Sequence, residues 1–301
     1  TGAEVPETYR WVDTFSKWLV AQGFPAVTVV GVRTVRAPYS TIEGNCLANS
    51  TLPSLAFGRG SCSSRWKAEP MDRWLSSWTP AIEAWERGEK ITKAIGYDCG
   101  PADSKRVVKA DKLPEDPKVT FWYPLRDWGW DREECLRQIE AAIGEVPQKS
   151  ACFFCPGSKE CELRDLAAKH PQLFRRAIRL EDKARPNLQK VEGLWRSSTK
   201  KRPGSWRAFA EANGLPLPED DENLPRIEEL ELAEVTADRE IRKATGEKLS
   251  AMPVAITPDQ LLERHGLEAA QAVVEAPEVV QAVPVRVVLQ EAGAVSFEVF
   301  A

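Results

Sequence analysis

Hydrophobic positions along the first 185 residues alternate between helical and strand periods. In residues 7–22, "ETYRWVDTFSKWLVAQ", Trp11, Val12, Phe15, Trp18 and Leu19 fall on one helical face, and Gly23 follows as a stop. The apolar, β-branched-rich run "AVTVVGV" at 26–32 predicts a buried parallel strand, so helix and strand together make half of an α/β unit. Residues 33–65 are rich in Gly, Ser, Pro and Asn and predict a long loop, a feature that in compact domains is often functional. A helix is predicted over 70–88, carrying Trp74, Leu75, Trp78, Ile82 and Trp85, and this aromatic stripe fits a core face. "KITKAIGYDCG" (90–100) and "KVTFWYPL" (118–125) predict strands. "DREECLRQIEAAIG" (131–144) predicts an amphipathic helix closed by Gly144, with Asp127 expected to cap its start. A charged helical stretch follows over 159–184. The alternation predicts the α/β class.

Beyond Pro186 the pattern changes. "KVEGLWRSSTKKRPGSWR" (190–207) has six Lys or Arg against one Glu, with Trp195 and Trp206 interleaved. Such a segment either holds phosphates and stacks bases or is a solvated connector. The acidic "PEDDENLPRIEELELAE" (218–234) has the charge to fold back on it. In "TPDQLLERHG", Thr257 caps a helix, Pro258 opens it and Gln260 completes a capping box. "VPVRVVLQ" and "VSFEVF" flank "EAGA" and predict a terminal hairpin. The expected organisation is 1–185 as an α/β domain, 186–256 as a charged linker and helical extension, and 257–301 as a helix with a β-hairpin.

Composition narrows the function classes. In 301 residues, Lys plus Arg is 41 against 45 for Asp plus Glu, a net charge of -4, which excludes a polycation with global attraction to nucleic acid or anionic lipid. No run approaches the roughly 18 apolar residues of a membrane span, and no signal-peptide pattern opens the chain, so a cytoplasmic protein with no membrane partner is expected. Seven cysteines, an odd number in a long chain, argue for thiols rather than a disulfide framework. Cys152 and Cys155 form a C-x-x-C with Cys161 six residues on, a spacing that offers two thiolates to one metal or to each other. Cys46, Cys99 and Cys135 read as ordinary small residues.

Four segments in order resemble the phosphoadenosine phosphosulfate (PAPS) reductase family of the adenine nucleotide alpha-hydrolase-like superfamily. They are "TGAEVPETYRWVDTF" at the start, "CSSRWKAEP" (62–70), "YPLRDWGWDREEC" (123–135) and "CFFCP" (152–156). The resemblance covers 1 to about 180 and implies a parallel-sheet, Rossmann-like core. It also implies an adenine nucleotide, ATP or a sulfonucleotide, whose phosphates rest on an S-G-G-x-D-S loop before a helix N-terminus. That loop is expected one strand–loop–helix unit upstream of Thr1, so the chain is expected to be an incomplete portion of the family's core. By the resemblance Lys67 contacts a phosphate or sulfate, and Glu7 and Thr8 lie near the nucleotide. Arg106 sits after a turn at a predicted strand end, where α/β ligands bind. Iron–sulfur members carry two adjacent cysteines before the lysine and a later C-x-x-C. Here Cys62 matches the first and Ser63 replaces the second, so Cys161 is the expected fourth ligand beside Cys62, Cys152 and Cys155, for an iron–sulfur cluster or zinc. The reductase branch also uses a late cysteine nucleophile, and no cysteine follows Cys161, which favours ATP-dependent sulfur or adenylyl transfer over reduction. The rival expectation is a nucleotide-independent, metal-stabilised module that binds nucleic acid or a protein through 190–207.

Overall fold

A computed structural model describes residues 2–31, 39, 41–218, 254–264, 266–267 and 295–298. In chain order the elements are α1 (Pro6–Ala21), β1 (Val29–Gly31), α2 (Ile42–Ala48), α3 (Ser61–Ser63), α4 (Glu69–Leu75), α5 (Thr79–Glu86) and β2 (Ile91–Ile95). Then come α6 (Pro101–Ala110), β3 (Val119–Trp122), α7 (Pro124–Asp127), α8 (Arg132–Ile143), α9 (Glu160–Lys169), α10 (Pro171–Ala184) and α11 (Trp206–Asn213). β4 (Val254–Ile256), α12 (Pro258–Arg264) and β5 (Val295–Glu298) complete the described chain. The class is α/β with a small parallel sheet, and no described helix is long and apolar enough to cross a membrane.

Two compact units interleave along the sequence. The first takes Thr1–Pro6, Val29–Arg73 and Ser150–Ile256, and the second takes Glu7–Thr28, Trp74–Lys149 and Thr257–Ala301.

The first unit is built around α10. Phe174, Ala177, Ile178, Glu181 and Ala184 recur three or four residues apart and all are fully buried, so this face of the helix is the centre of the core. Each large apolar side chain in it contributes about 1.5–3 kcal/mol by leaving water. Leu163 of α9, Cys46 of α2, Trp66, Phe153, Phe154, Leu194, Trp195, Trp206 and Phe209 complete the same cluster. His170 and Pro171 divide the predicted 159–184 stretch into α9 and α10, with the proline at the start of the second helix, where its missing N–H costs nothing.

In the second unit β2 is the middle strand of the order β3–β2–β5, and both ladders are parallel. Ile91 pairs with Val119 on one side, and Thr92 with Val295 on the other. Leu75, Ala81, Ala84 and Ile91 form a small core, against which Trp74, Trp78 and Trp85 lie partly buried. Of the predicted stripe Leu75 is buried, the three tryptophans are half-buried and Ile82 is exposed, so it is core only in part. The helix that bears it is broken by a turn at 76–78 before Pro80 opens α5.

Other expectations need correction. β1 is short and half-buried and pairs antiparallel with β4, so the run at 26–32 is no buried parallel strand. Residues 33–65 are not one loop, because the described part contains α2, a 3-10 turn at Ser54–Phe57 and the start of α3. Thr41 caps α2 by accepting from Gly44 N at 3.0 Å, a local pattern outweighed in the sequence by the loop-like composition around it. On α1 the buried residues are Tyr9, Asp13 and Ser16, while Trp11, Phe15 and Trp18 stack along a half-buried flank. Asp131, not Asp127, caps α8 by accepting from Glu134 N, and Asp127 accepts from Trp122 Nε1 at 2.8 Å. The capping box at Thr257–Gln260 is present in both directions. Of the predicted hairpin, β5 takes its ladder from β2, and the partner run 283–290 lies outside the described residues, as does the acidic run beyond 218.

Candidate functional site

The C-x-x-C forms a tight turn whose two middle residues anchor it. Phe153 and Phe154 are buried and meet edge to face at 4.8 Å, so the core holds the rings and leaves the flanking thiols half-buried at its margin. Cys155 N donates to Cys152 O at 2.9 Å, and Ser158 N donates to Cys155 O at 3.0 Å. Phe153 N donates to Ala3 O at 2.8 Å, and Glu4 bridges to Cys152, which ties the turn to the start of the chain. Trp195 Nε1 donates to Ser158 O at 2.7 Å and fixes the other side.

Cys62 lies at the start of α3, half-buried, with Ser54 Oγ 2.9 Å from its sulfur and accepting from its N–H at 3.0 Å. Cys46 is buried on α2, and its thiol is pushed up above the usual range by burial first, then by the nearby Cys62, Cys152 and Glu43. Cys161 is exposed on α9. Tested against a metal, the expected set of Cys62, Cys152, Cys155 and Cys161 fits poorly: its fourth member is on the surface. Among the described residues no three His, Cys, Asp or Glu side chains stand at single-ion spacing. Among them there is also no disulfide.

The nucleotide candidates divide between the units. Lys67 is half-buried in the π-turn Ser64–Ala68 that joins α3 to α4, in the first unit, while Glu7, Thr8 and Arg106 belong to the second. Glu7 and Thr8 make the first turn of α1. Thr8 Oγ1 is a buried hydroxyl with no hydrogen-bond partner among the described residues, an unusual state for such a group. Arg106 stands on α6, just past the carboxyl end of β2. Its Nη1 donates to Asp103 Oδ1 at 2.6 Å, its guanidinium lies 5.8 Å from the Tyr97 ring centre, and its side chain is 59% exposed. Tyr97 in turn stacks on Tyr123 at 5.7 Å, and burial with the neighbouring Tyr97 and Asp111 raises the Tyr123 phenol above its usual range. Arg126 Nη1 pins the turn by donating to Asp98 O at 2.9 Å and to Ser104 Oγ at 3.2 Å. Asp98 Oδ1 accepts from Gly100 N at 2.7 Å and Asp103 Oδ2 from Asp98 N at 3.2 Å, so these carboxylates already use amides at the turn. Arg106 is 59% exposed at this edge while paired with Asp103, and its neighbour Lys105 is exposed as well.

Residues 190–207 are neither an open stacking surface nor a solvated connector. Trp195 is 5% exposed and Trp206 fully buried, and both belong to the first unit's core. The organiser is Glu181, a fully buried carboxylate that the sequence pattern did not single out. It accepts from Leu194 N at 2.8 Å, Trp206 N at 2.9 Å, Arg207 N at 3.0 Å and Ser205 Oγ at 2.5 Å. Two of those amides open α11, so the charge also complements that helix's dipole. Gly193 is required by the approach: a Cβ there would lie 2.4 Å from Glu181 Oε2 and 2.6 Å from Ser205 Cα. The signal in the sequence was a carboxylate among apolar residues at helical spacing. Arg202 lies over the Trp195 ring at 4.1 Å, so of the basic residues Lys190, Arg196, Lys200 and Lys201 are the exposed ones not engaged in a ring contact.

No family model, no curated protein and no solved structure matches the chain.

Proposed function

We propose that the chain is a PAPS-reductase-like protein that binds an adenine nucleotide, ATP or a sulfonucleotide, in the service of sulfur transfer, adenylyl transfer or reduction. The observation that carries this reading is the carboxyl edge of the parallel pair β2–β3. Open α/β sheets bind ligands at that edge. Here the edge presents an exposed arginine, Arg106, over a stacked tyrosine pair, in a turn braced by Arg126. The four ordered motifs support the same reading by resemblance, and the unpartnered hydroxyl of Thr8 is consistent with a ligand near the first turn of α1. In this proposal Arg106 neutralises phosphate or sulfate, and Thr8 donates to an oxygen, with Glu7 beside it; Lys67, in the other unit, enters only by the resemblance. Calorimetric titration of the full-length protein with ATP and with PAPS tests it. Saturable binding is expected, weakened at least tenfold by Arg106→Ala, which is about 1.4 kcal/mol. No binding of either nucleotide overturns the reading.

A second reading has its own support: a nucleotide-independent, metal-stabilised module that binds nucleic acid or a protein partner. It is favoured by the packing of Cys62 and Cys152 against the cluster that contains Cys46. With Trp195 and Trp206 buried, its nucleic-acid arm rests on charge alone, through exposed Lys190, Arg196, Lys200 and Lys201. It predicts gel-shift binding that falls steeply with salt and is indifferent to ATP.

A further inference from the structure

Two cation-bearing stretches far apart in the sequence meet on the first unit. The earlier is the exit of the turn Ser54–Phe57, where Gly58, at φ +76°, and Arg59 are exposed and Arg59 N donates to Ser54 O at 3.0 Å. The later is the loop from Glu192 to Gly204. Arg196 reaches from that loop onto the turn. A Cβ on Gly58 would lie 2.6 Å from Arg196 Nη1 and 3.3 Å from its Cζ, so the guanidinium rests on backbone that glycine leaves open. Arg196 does this from φ +69°, a left-handed conformation uncommon outside glycine. Its neighbours hold it there: Glu192 N donates to Arg196 O at 2.7 Å, Arg196 N to Gly193 O at 2.8 Å and Ser197 N to Trp195 O at 2.8 Å.

The rest of the loop is equally fixed. Trp195 N donates to Gly204 O at 3.0 Å, and Thr199 N donates to Arg202 O at 2.8 Å. Thr199 Oγ1 accepts from Lys201 N at 3.3 Å and Arg202 N at 3.1 Å, which sets Lys200 and Lys201 at an exposed tip. The loop's one carboxylate, Glu192, accepts from Ser198 N at 2.9 Å, from Ser198 Oγ and from Gly204 N at 3.3 Å, and pairs with none of these cations. Among the described residues Arg59 and Arg196 have no carboxylate or ring partner. By contrast Arg176, Arg185 and Arg207 pair with acids, and Arg65 and Arg202 lie over tryptophan rings. An unpaired guanidinium fork suits the oxygens of a phosphate. The face offers little else to a ligand, because Trp66, Trp195 and Trp206 are buried and Leu55 is the exposed large apolar side chain of the turn. Binding at a lipid surface draws on apolar side chains, and binding of single strands draws on open rings. The backbone of a duplex requires cations alone.

We infer that Arg59 and Arg196, with Lys200 and Lys201, grip the phosphodiester backbone of a nucleic-acid duplex without regard to its sequence. This rests on the nucleic-acid arm of the second reading above and adds to it the Gly58–Arg59 turn, which lies outside 190–207. The test is fluorescence anisotropy of a labelled DNA duplex titrated with the full chain between roughly 50 and 200 mM salt. Four phosphate contacts give a slope of log affinity on log salt of about −3 to −4, the same for two unrelated sequences. Arg59→Ala and Arg196→Ala are each expected to reduce that slope by about one, and Arg59→Lys to keep it. Both side chains are exposed and unpaired, and circular dichroism checks that the fold is kept. Gly58→Ala, whose methyl meets the guanidinium, is expected to act like Arg196→Ala. If the Lys200→Ala, Lys201→Ala double variant loses slope while Arg59→Ala and Arg196→Ala do not, this inference fails and the second reading stands. No binding of duplex by the wild type overturns both. Tighter binding of single strand than of duplex, or capture by anionic phosphatidylserine vesicles and not by duplex, also overturns the inference.

Discussion

The two units use tryptophan in opposite ways. The three tryptophans of the first, Trp66, Trp195 and Trp206, are buried, while the eight of the second are all half-buried or exposed, with Trp128 at 41%. The first unit's aromatic rings close around a fully buried carboxylate, whereas the second's lie against a core of four small or medium side chains or stack on one another at its margin. A buried charge needs its acceptor sites satisfied, and three amides and a hydroxyl do so for Glu181. The lesson concerns where ligands have access. The segment whose basic, aromatic composition suggests binding is largely spent on packing. The less conspicuous turn after β2 keeps an arginine and paired tyrosines at the surface.

That contrast can be broken by substitution. The largest effect is expected at Glu181→Ala, which strands three amides and a hydroxyl in the core. Loss of about 3–5 kcal/mol should appear as a lower urea midpoint followed by tryptophan fluorescence. The same assay should rank the tryptophans, with Trp206→Ala costing about 3–5 kcal/mol and Trp128→Ala about 0.5–1 kcal/mol. Equal costs would remove the distinction between the units. Gly193→Ala should cost about 1–3 kcal/mol, because its methyl meets backbone as well as the carboxylate.

The smallest effect concerns Glu43, which Arg176 grips through Nε and Nη2 at 3.1 and 2.6 Å. Burial raises its carboxyl above the usual range, and Arg176 opposes this only in part. A raised folded-state value means that the contribution is present below the unfolded value and is lost as pH rises through the folded one. The stability deficit of Glu43→Gln should therefore be greatest in acid and shrink toward neutral pH in urea titrations. A deficit that grows toward neutral pH would show that the Arg176 charge prevails over burial.

Features written in local sequence were legible. β2, β3 and α8 are where periodicity and the Gly144 stop place them, although the cap of α8 is Asp131 rather than Asp127, and the Thr257–Gln260 box forms as spelled. The C-x-x-C turn was visible for the same reason. Features that depend on distant partners were not. β1 takes its neighbour from Val254–Ile256, far along the chain, so an apolar run suited to a parallel sheet became half of an antiparallel pair. Cys46 reads as a small residue in the sequence, and its neighbours in the core, Cys62 and Cys152, come from two other stretches. Glu181 carried a sign of its role, a charge in an apolar stripe, but its partners lie beyond the helix, on both sides of a glycine- and proline-bearing loop.

Hydrogen exchange of the full-length protein, with and without saturating ATP, tests the functional contrast most directly. The account predicts slowed exchange across 96–106 and the first turn of α1, while Leu194, Trp206 and Arg207 stay protected and unchanged in both states. Exchange at 96–106 indifferent to ATP and PAPS, together with rapid exchange at Leu194 and Trp206, would contradict it.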